Sequence, residues 1–394
     1  MSVGVMMPEP FDIYSRSIDA DPFPGYKRLR DEHPCYWSKT AGVWILSRYE
    51  DVFAAAQDWQ TFSSLSGNLV DEIPGRSGGT LGTTDPPHHD RLRVLAQAAF
   101  TPKAVRELVP VIEDVVSEAI AAFADREEFD FVQDFSSVVT VGSIFRLLGL
   151  PERDPKEMRR QVVLSISTDK KLRGRNSELN RAFAELTEFL AEEIVIRRAK
   201  PADDLITALA EAEVDGERLT EREVMLTTTM FVVAGVESLS SFMSIFALNI
   251  ADHPEARFRI ASDPSLMPAA IEESLRFNTS AQRFKRTAKR EVELHGKRIA
   301  PGDTVVLAYG AANRDERKFP EPDQFDIDRN PRGHLGFGTG KHFCIGSGFA
   351  RTVTRIAMES FLGTIPNFEV RHRDFDWVPS SNFRSPATLP FRRT

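Results

Sequence analysis

The sequence predicts a mostly α fold with minor β-sheets, on three observations. Residues from about 100 to 276 carry apolar side chains at helical spacing almost without interruption. The β-rich runs are short and sit near residues 35–50 and 285–310, on either side of that helical bulk at 85–277. The chain of 394 residues is 41% hydrophobic and 27% charged, the composition of a folded soluble protein, and it reads as a single domain over 1–394.

"PCYWSKTAGVWILSRY" places Thr40-Ala41-Gly42 between two β-rich runs and predicts a hairpin. "SLSGNLVDEIPGRSGGTLG", residues 64–82, is rich in Gly, Ser and Pro and predicts a long loop, a length usually tied to function. "AVRELVPVIEDVVSEAIAAFAD" and "NRAFAELTEFLAEEIVIRRA" have helical periodicity. Thr220 followed by Glu223 forms a capping box opening a long apolar helix over 221–252, which stops before His253-Pro254. "REVELHG" and "KRIAPGDTVVLAYG" predict short strands. One helix follows Cys344, and irregular chain closes the sequence.

Charge and composition exclude several functions. A net charge of −8 argues against a nucleic-acid binder, which needs a basic surface. No uninterrupted apolar run approaches the ~20 residues that span a bilayer, so no membrane association is expected. "MSVGVMMPEPFDIYSR" lacks a basic region followed by an apolar stretch, so no secretory signal is expected. Two cysteines cannot build a disulfide framework, which fits the cytoplasm. The 28 Phe against 5 Tyr predict an apolar interior.

"GHLGFGTGKHFCIGSGFAR", residues 333–351, sets Cys344 among glycines. A phosphate-binding loop G-x-x-x-x-G-K-[ST] fails, because Leu335 replaces its first glycine and His342 its hydroxyl residue. The dinucleotide pattern G-x-G-x-x-G fails too: from Gly336 the third position is Lys341, and from Gly338 it is Phe343. His342 and Cys344 could supply two zinc ligands, but no further cysteine lies near. A nucleophilic cysteine would have only His342 as local base. The remaining reading is one thiolate ligand to a large planar cofactor, with glycines allowing close backbone approach. A helix starting near Ile345 would aim its positive end at the sulfur and lower the thiol pKa. Haem with a cysteine axial ligand is the known chemistry of this kind.

These residues resemble the cytochrome P-450 family, whose haem loop reads F-x-x-G-x-[HR]-x-C-x-G. Phe337, Gly340, His342, Cys344 and Gly346 match in full, and Ala350-Arg351 match the usual loop end. Other landmarks follow in the family's order. Glu273 and Arg276 in "EESLR" are similar to the buried E-x-x-R pair, which the family joins to an arginine such as Arg329 in "FDIDR". His89 and Arg93, one helical turn apart, resemble the H-x-x-x-R pair that reaches the haem propionates; Arg286 and His334 also occupy propionate positions by resemblance. In "VVAGVESLSS", Ala234, Gly235 and Glu237 match [AG]-G-x-[DE]-T, with Ser238 in place of Thr. A hydroxyl at 238 can bond back to the Ala234 carbonyl and bend the helix. The resemblance gives Glu237 and Ser238 the catalytic role of relaying protons, and gives Ala234, Gly235, Phe337, Gly338, Cys344 and Gly346 to the cofactor, with Cys344 on the iron.

The implied fold is the family's triangular domain, a long central helix lying over the haem, with the haem-ligand loop at 336–346. The implied protein is a soluble bacterial monooxygenase acting as a monomer with haem b (iron protoporphyrin IX). It would insert one oxygen atom of O2 into a small apolar, neutral or aromatic substrate by hydroxylation or oxidative O-dealkylation. Electrons would come from NAD(P)H through a reductase and ferredoxin. Lys341, Arg351 and Arg355 would offer that acidic partner a basic patch. The alternative is a thiolate-haem peroxygenase, isomerase or dehydratase without a redox partner. Substrate contacts are expected from 64–82, 160–200, 230–238, 278–284 and 380–385, and residues 224–236 contain no basic side chain to grip a carboxylate. Cys35 reads as a small buried hydrophobe.

Overall fold

A computed structural model describes residues 10–97, 100–214 and 216–394. The first nine positions of the N-terminal leader reading lie outside the described residues.

Glu221–Asp252 forms one helix of 32 residues. Its start is fixed reciprocally: Thr220 N donates to Glu223 Oε2 at 2.7 Å, and Glu223 N donates to Thr220 Oγ1 at 3.2 Å. Its end is set at His253, because Pro254 opens the next helix. Buried residues ring the helix on all sides, from Val224 to Ile250, as expected of a helix that runs through a core. Helices Ser137–Leu148, Pro155–Ile166 and Ser177–Ala199 pack on it, as does Ser347–Thr364, the helix after the cysteine loop. Both Phe131–Leu148 and Glu221–Asp252 are long and apolar enough to cross a membrane by length and composition, which scanning for uninterrupted apolar runs misses. Their apolar windows are 72% and 78% buried inside the protein, the mark of core helices.

The expected hairpin forms: Cys35–Ser38 pairs antiparallel with Val43–Leu46, in register Cys35 with Leu46, and Gly42 takes φ +64° at the turn. Thr304–Leu307 then joins Val43–Leu46 in parallel, and Phe284–Ala288 and Phe62–Ser63 complete a five-stranded sheet. Residues 64–82 are largely loop, closing on a short turn of helix at Leu81–Thr83.

Four sequence expectations are corrected. The helix expected over 104–125 is split into Pro102–Glu107 and Val109–Ala121, because Pro110 is tolerated only in a first turn. The strand ending in "LAYG" stops at Leu307, and Tyr309–Ala312 coils into a short helix. The helix after Cys344 begins at Ser347 rather than Ile345. Inside the helical bulk, Glu128–Asp130 is a strand, paired with Pro390–Arg393.

Candidate functional site: a cavity between the cysteine loop and the central helix

A cavity of about 320 Å³ lies between the 335–350 segment and the middle of the central helix. Cys344, Phe337, Gly338 and Gly346 line it from the loop; Ala234, Gly235 and Ser238 line it from the helix. The loop is held by its own backbone. Gly338 N donates to Leu335 O at 2.9 Å, and Cys344 N donates to Phe337 O at 3.0 Å. Gly340 has φ +69°, and a Cβ there would stand 2.8 Å from the Ala56 carbonyl oxygen, so glycine is required twice over. The Arg351 guanidinium covers the Phe337 ring at 4.5 Å.

Gly235 is explained by packing as well as by the cavity. A Cβ at 235 would meet Ile144 Cδ1 at 2.5 Å, so the glycine lets helix Ser137–Leu148 approach. Ser238 Oγ donates back to the Ala234 carbonyl, as expected from its position. Its proton is therefore committed to the helix, and its oxygen is free to accept. Glu237 does not line the cavity. It is buried on another face of the helix, accepting from Ser241 Oγ at 2.9 Å, with Arg159 Nη2 3.3 Å from its other oxygen.

The sulfur's protonation corrects an expectation. Burial pushes the Cys344 thiol up; the Gly346 amide, Arg93 and Arg351 pull it down and do not prevail. An unpaired thiolate is too costly here, so the free chain holds a thiol, and a bound metal cation would be needed to stabilise the anion.

Positive and donor groups gather at one end of the cavity. Arg93, Arg286 and His342 line it, and the ring of buried His89 stands 4.7 Å from that of His342. Burial, then Arg286, His89 and Arg93, push His342 down to about 2. His89 Nδ1 pairs with Asp90 Oδ1 at 3.0 Å, but its buried Nε2 has no partner among the described residues. With Nδ1 bonded to Asp90, that nitrogen donates only when the ring is protonated, which an anionic ligand held by the Arg93 and Arg286 guanidinium groups would favour, and two carboxylates on a flat ring meet that requirement.

His334 does not join this group. Its Nε2 lies 2.9 Å from Glu272 Oε2, and Gly336 N donates to its Nδ1 at 3.1 Å, so both nitrogens are taken. His342 stands at the cavity instead. The available signal was its place two residues before Cys344, in the family's [HR] slot. Burial pushes the Glu272 carboxyl up, but Arg351 and His334 outweigh it and hold it at about 2.

The basic patch expected near the loop is also corrected. Lys341 pairs with Asp90 at 2.9 Å, Arg351 with Glu272 at 2.5 Å and Arg355 with Glu359 at 2.9 Å. Three cations meet three carboxylates, and these residues contribute no net charge.

Glu273, Arg276 and Arg329 come together as the resemblance implied. Arg276 Nη2 and Nε donate to the two Glu273 oxygens at 2.7 and 2.8 Å, and Arg329 Nε donates to Oε1 at 3.2 Å. Arg276 also donates to the carbonyls of Asn313, Pro322 and Gln324, so this buried pair is fully bonded.

All five expected substrate segments reach the cavity, through Leu69 and Ile73, Ile166 and Phe183, Met230 and Val233, Ala281 and Phe284, and Phe383. The absence of a basic side chain over 224–236 does not leave the substrate segments without a cation. The central helix supplies none, but Arg76 of the long loop lines the cavity. The loop's sequence contains that arginine, yet only its fold shows where it lies.

Comparison with known proteins agrees. The family model for cytochrome P450 matches residues 26–384. The chain is 35% identical to cyclomarin C epoxidase CymV of Salinispora arenicola, over 92% of this chain and 93% of that protein. It is 34% identical to cytochrome P450 107B1 of Saccharopolyspora erythraea, over 93% and 94%. Cytochrome P450 CYP109Q5 from Chondromyces apiculatus superposes with a TM-score of 0.87 at 31% identity, each chain covered to 98%. The cysteine loop, the central helix and these likenesses agree: the chain belongs to the cytochrome P450 family and is a haem-thiolate monooxygenase.

Proposed function

We propose that this chain inserts one oxygen atom of O2 into a small substrate with an apolar, often aromatic, body, by hydroxylation or oxidative O-dealkylation. The observation that carries the reading is that Cys344 and Ser238 line two walls of one cavity. In this reading Cys344 would hold the iron of haem b, with Phe337, Gly338 and Gly346 shaping the loop that carries the sulfur and Ala234 and Gly235 leaving room on the central helix. His89, Arg93, Arg286 and His342 would hold its carboxylates. Haem supplies the activation of O2 when bound, and a cysteine ligand favours O–O cleavage.

Ser238 offers an oxygen to hydrogen-bond the reacting group, and releasing its bond to Ala234 frees a proton. Ser241 and Arg159 hold Glu237 away from the cavity, so the proton-relay role is proposed for Ser238 alone. Glu273, Arg276 and Arg329 hold the chain around the cysteine loop. Electrons reach the site from NAD(P)H through a reductase and ferredoxin, with the chain working as a cytoplasmic monomer. Because Lys341, Arg351 and Arg355 are paired, docking rests on shape and apolar contact more than on attraction by these cations. Two relatives carry names for oxygen insertion, a cyclomarin C epoxidase and a methyl-branched lipid omega-hydroxylase.

One observation favours the alternative of a peroxide-driven enzyme, isomerase or dehydratase: Glu237 is turned from the cavity. Oxygen uptake coupled to NAD(P)H, with a surrogate ferredoxin and reductase and a panel of aromatic and terpene substrates, separates the two. Oxygenated product matched to oxygen consumed supports the proposal; turnover only with peroxide, or without any oxidant, refutes it.

A further inference from the structure

Apart from Arg93, Arg286 and His342, the cavity is lined mainly by apolar side chains and by one further cation, Arg76. Leu69, Ile73, Ile166, Phe183 and Phe383 form a buried apolar cluster in its wall, with Phe284 packed against it. Arg76 reaches the same cavity with its side chain 10% exposed. Its Nε donates to Glu72 Oε1 at 2.7 Å, and its Nη2 donates to Glu72 Oε2 at 3.0 Å and to Asn68 Oδ1 at 2.5 Å. Among the described residues Nη1 has no hydrogen bond, although Arg presents five donors in a fixed fork.

The charges around it do not balance. Lys285 and Arg175 face the same group, which contains the carboxylates Glu72 and Asp71. Arg175 spends its donors on neutral acceptors, Asn180 Oδ1 and the carbonyls of Leu179 and Ser167. Asp71 accepts from Tyr14 Oη and Thr168 Oγ1, two neutral hydroxyls. Arg76 itself is paired with Glu72, but Lys285, Arg175 and Lys170 add positive charge around Glu72 and Asp71, so the surroundings of the free Nη1 donor favour an anion.

We infer that the preferred substrate is an amphiphile whose apolar body lies against the phenylalanine-lined wall and whose carboxylate is bound by Arg76 Nη1. This deepens the monooxygenase reading and rests on it. The competing account is that Arg76 only pins the loop, since Glu72 Oε2 also accepts from Leu69 N at 3.0 Å. A pin would affect every ligand equally; an anchor discriminates by charge.

The test compares phenylpropanoate with its methyl ester, which removes the charge and keeps the body. Both are titrated into the haem-loaded full chain, read by the shift of the Soret band and by calorimetry. The acid is expected to bind more tightly than the ester. Arg76→Gln should weaken the acid about tenfold or more and the ester by less than about threefold, the scale of one charge-assisted hydrogen bond. Glu72→Gln keeps an oxygen for Leu69 N but removes the competing charge, and should tighten the acid severalfold; it also provides the test should Arg76→Gln not fold. An ester as tight as the acid, or equal losses for both in Arg76→Gln, overturns the inference, as does an unchanged acid affinity in Glu72→Gln. If the haem spectrum is normal but neither probe binds, the inference alone fails. If the chain takes up no haem, the monooxygenase reading fails with it.

Discussion

Arg159 Nη2 stands 3.3 Å from Glu237 Oε2, with the two side chains 5% and 1% exposed. The catalytic acid expected from the sequence is thus an ion-paired core group on the far side of the helix from the cavity. Arg159 also donates to Ser385 Oγ and to the Pro386 carbonyl, both at 3.2 Å, tying the central helix to the C-terminal loop.

Removing Arg159 should be expensive. Arg159→Met leaves a buried carboxylate without its cation, and the expected loss is about 3–5 kcal/mol. The double variant with Glu237→Gln should recover more than half of it. Denaturant melts of the four proteins check this; a loss below about 1 kcal/mol for the single variant would show that Glu237 is not held by Arg159.

Glu272 links acid stability to the cysteine loop. Its folded pKa, about 2, lies below its ordinary value of 4.5, with Arg351 and His334 outweighing burial. A depressed carboxylate stabilises the fold above its unfolded pKa and loses that contribution as pH falls from about 4.5 toward 2. Glu272→Gln should therefore cost about 1–3 kcal/mol at pH 7, and the gap to the parent protein should close across that acid window. Equal pH dependence of both proteins would contradict it.

Gly235→Ala pits two effects against each other. Alanine favours the helix by about 1 kcal/mol, but a Cβ at 2.5 Å from Ile144 Cδ1 overpacks the core at about 1–3 kcal/mol. The expected net effect is destabilising, and it should vanish or reverse when Ile144→Ala makes room. Additive behaviour in the double-mutant cycle would exclude a clash between the two positions.

In the haem-free chain Cys344 should be a poor nucleophile at neutral pH, because burial keeps it a thiol. Iodoacetamide labelling should rise only at alkaline pH. Cys35, pushed by burial to about 12, adds little background. Full labelling with a midpoint below pH 8 would show that the helix end and arginines prevail after all.

What could be read from the sequence was local. The capping box at Thr220 and Glu223, the stop before Pro254 and the loop around Cys344 are each decided within a few residues. The strand Glu128–Asp130 was not legible, because its partner lies at the other end of the chain. Nor was the direction of Glu237, which depends on Arg159 and Ser241 rather than on the motif. His334 and His342 are both histidines near Cys344; the slot two residues before Cys344 pointed to His342, but the pairing that takes His334 to Glu272 shows only in the packing. The neutral surface near the loop followed from Asp90 and Glu272, distant in sequence; Arg355 with Glu359, one helical turn apart, was open to view.

Absorption of the reduced, carbon monoxide-bound haem protein reports directly on whether the sulfur of Cys344 holds the iron. The parent chain should show the Soret position of a thiolate-ligated haem, and Cys344→Ser should lose it while still folding. A serine variant with the parent's band would contradict the assignment of Cys344 as the ligand.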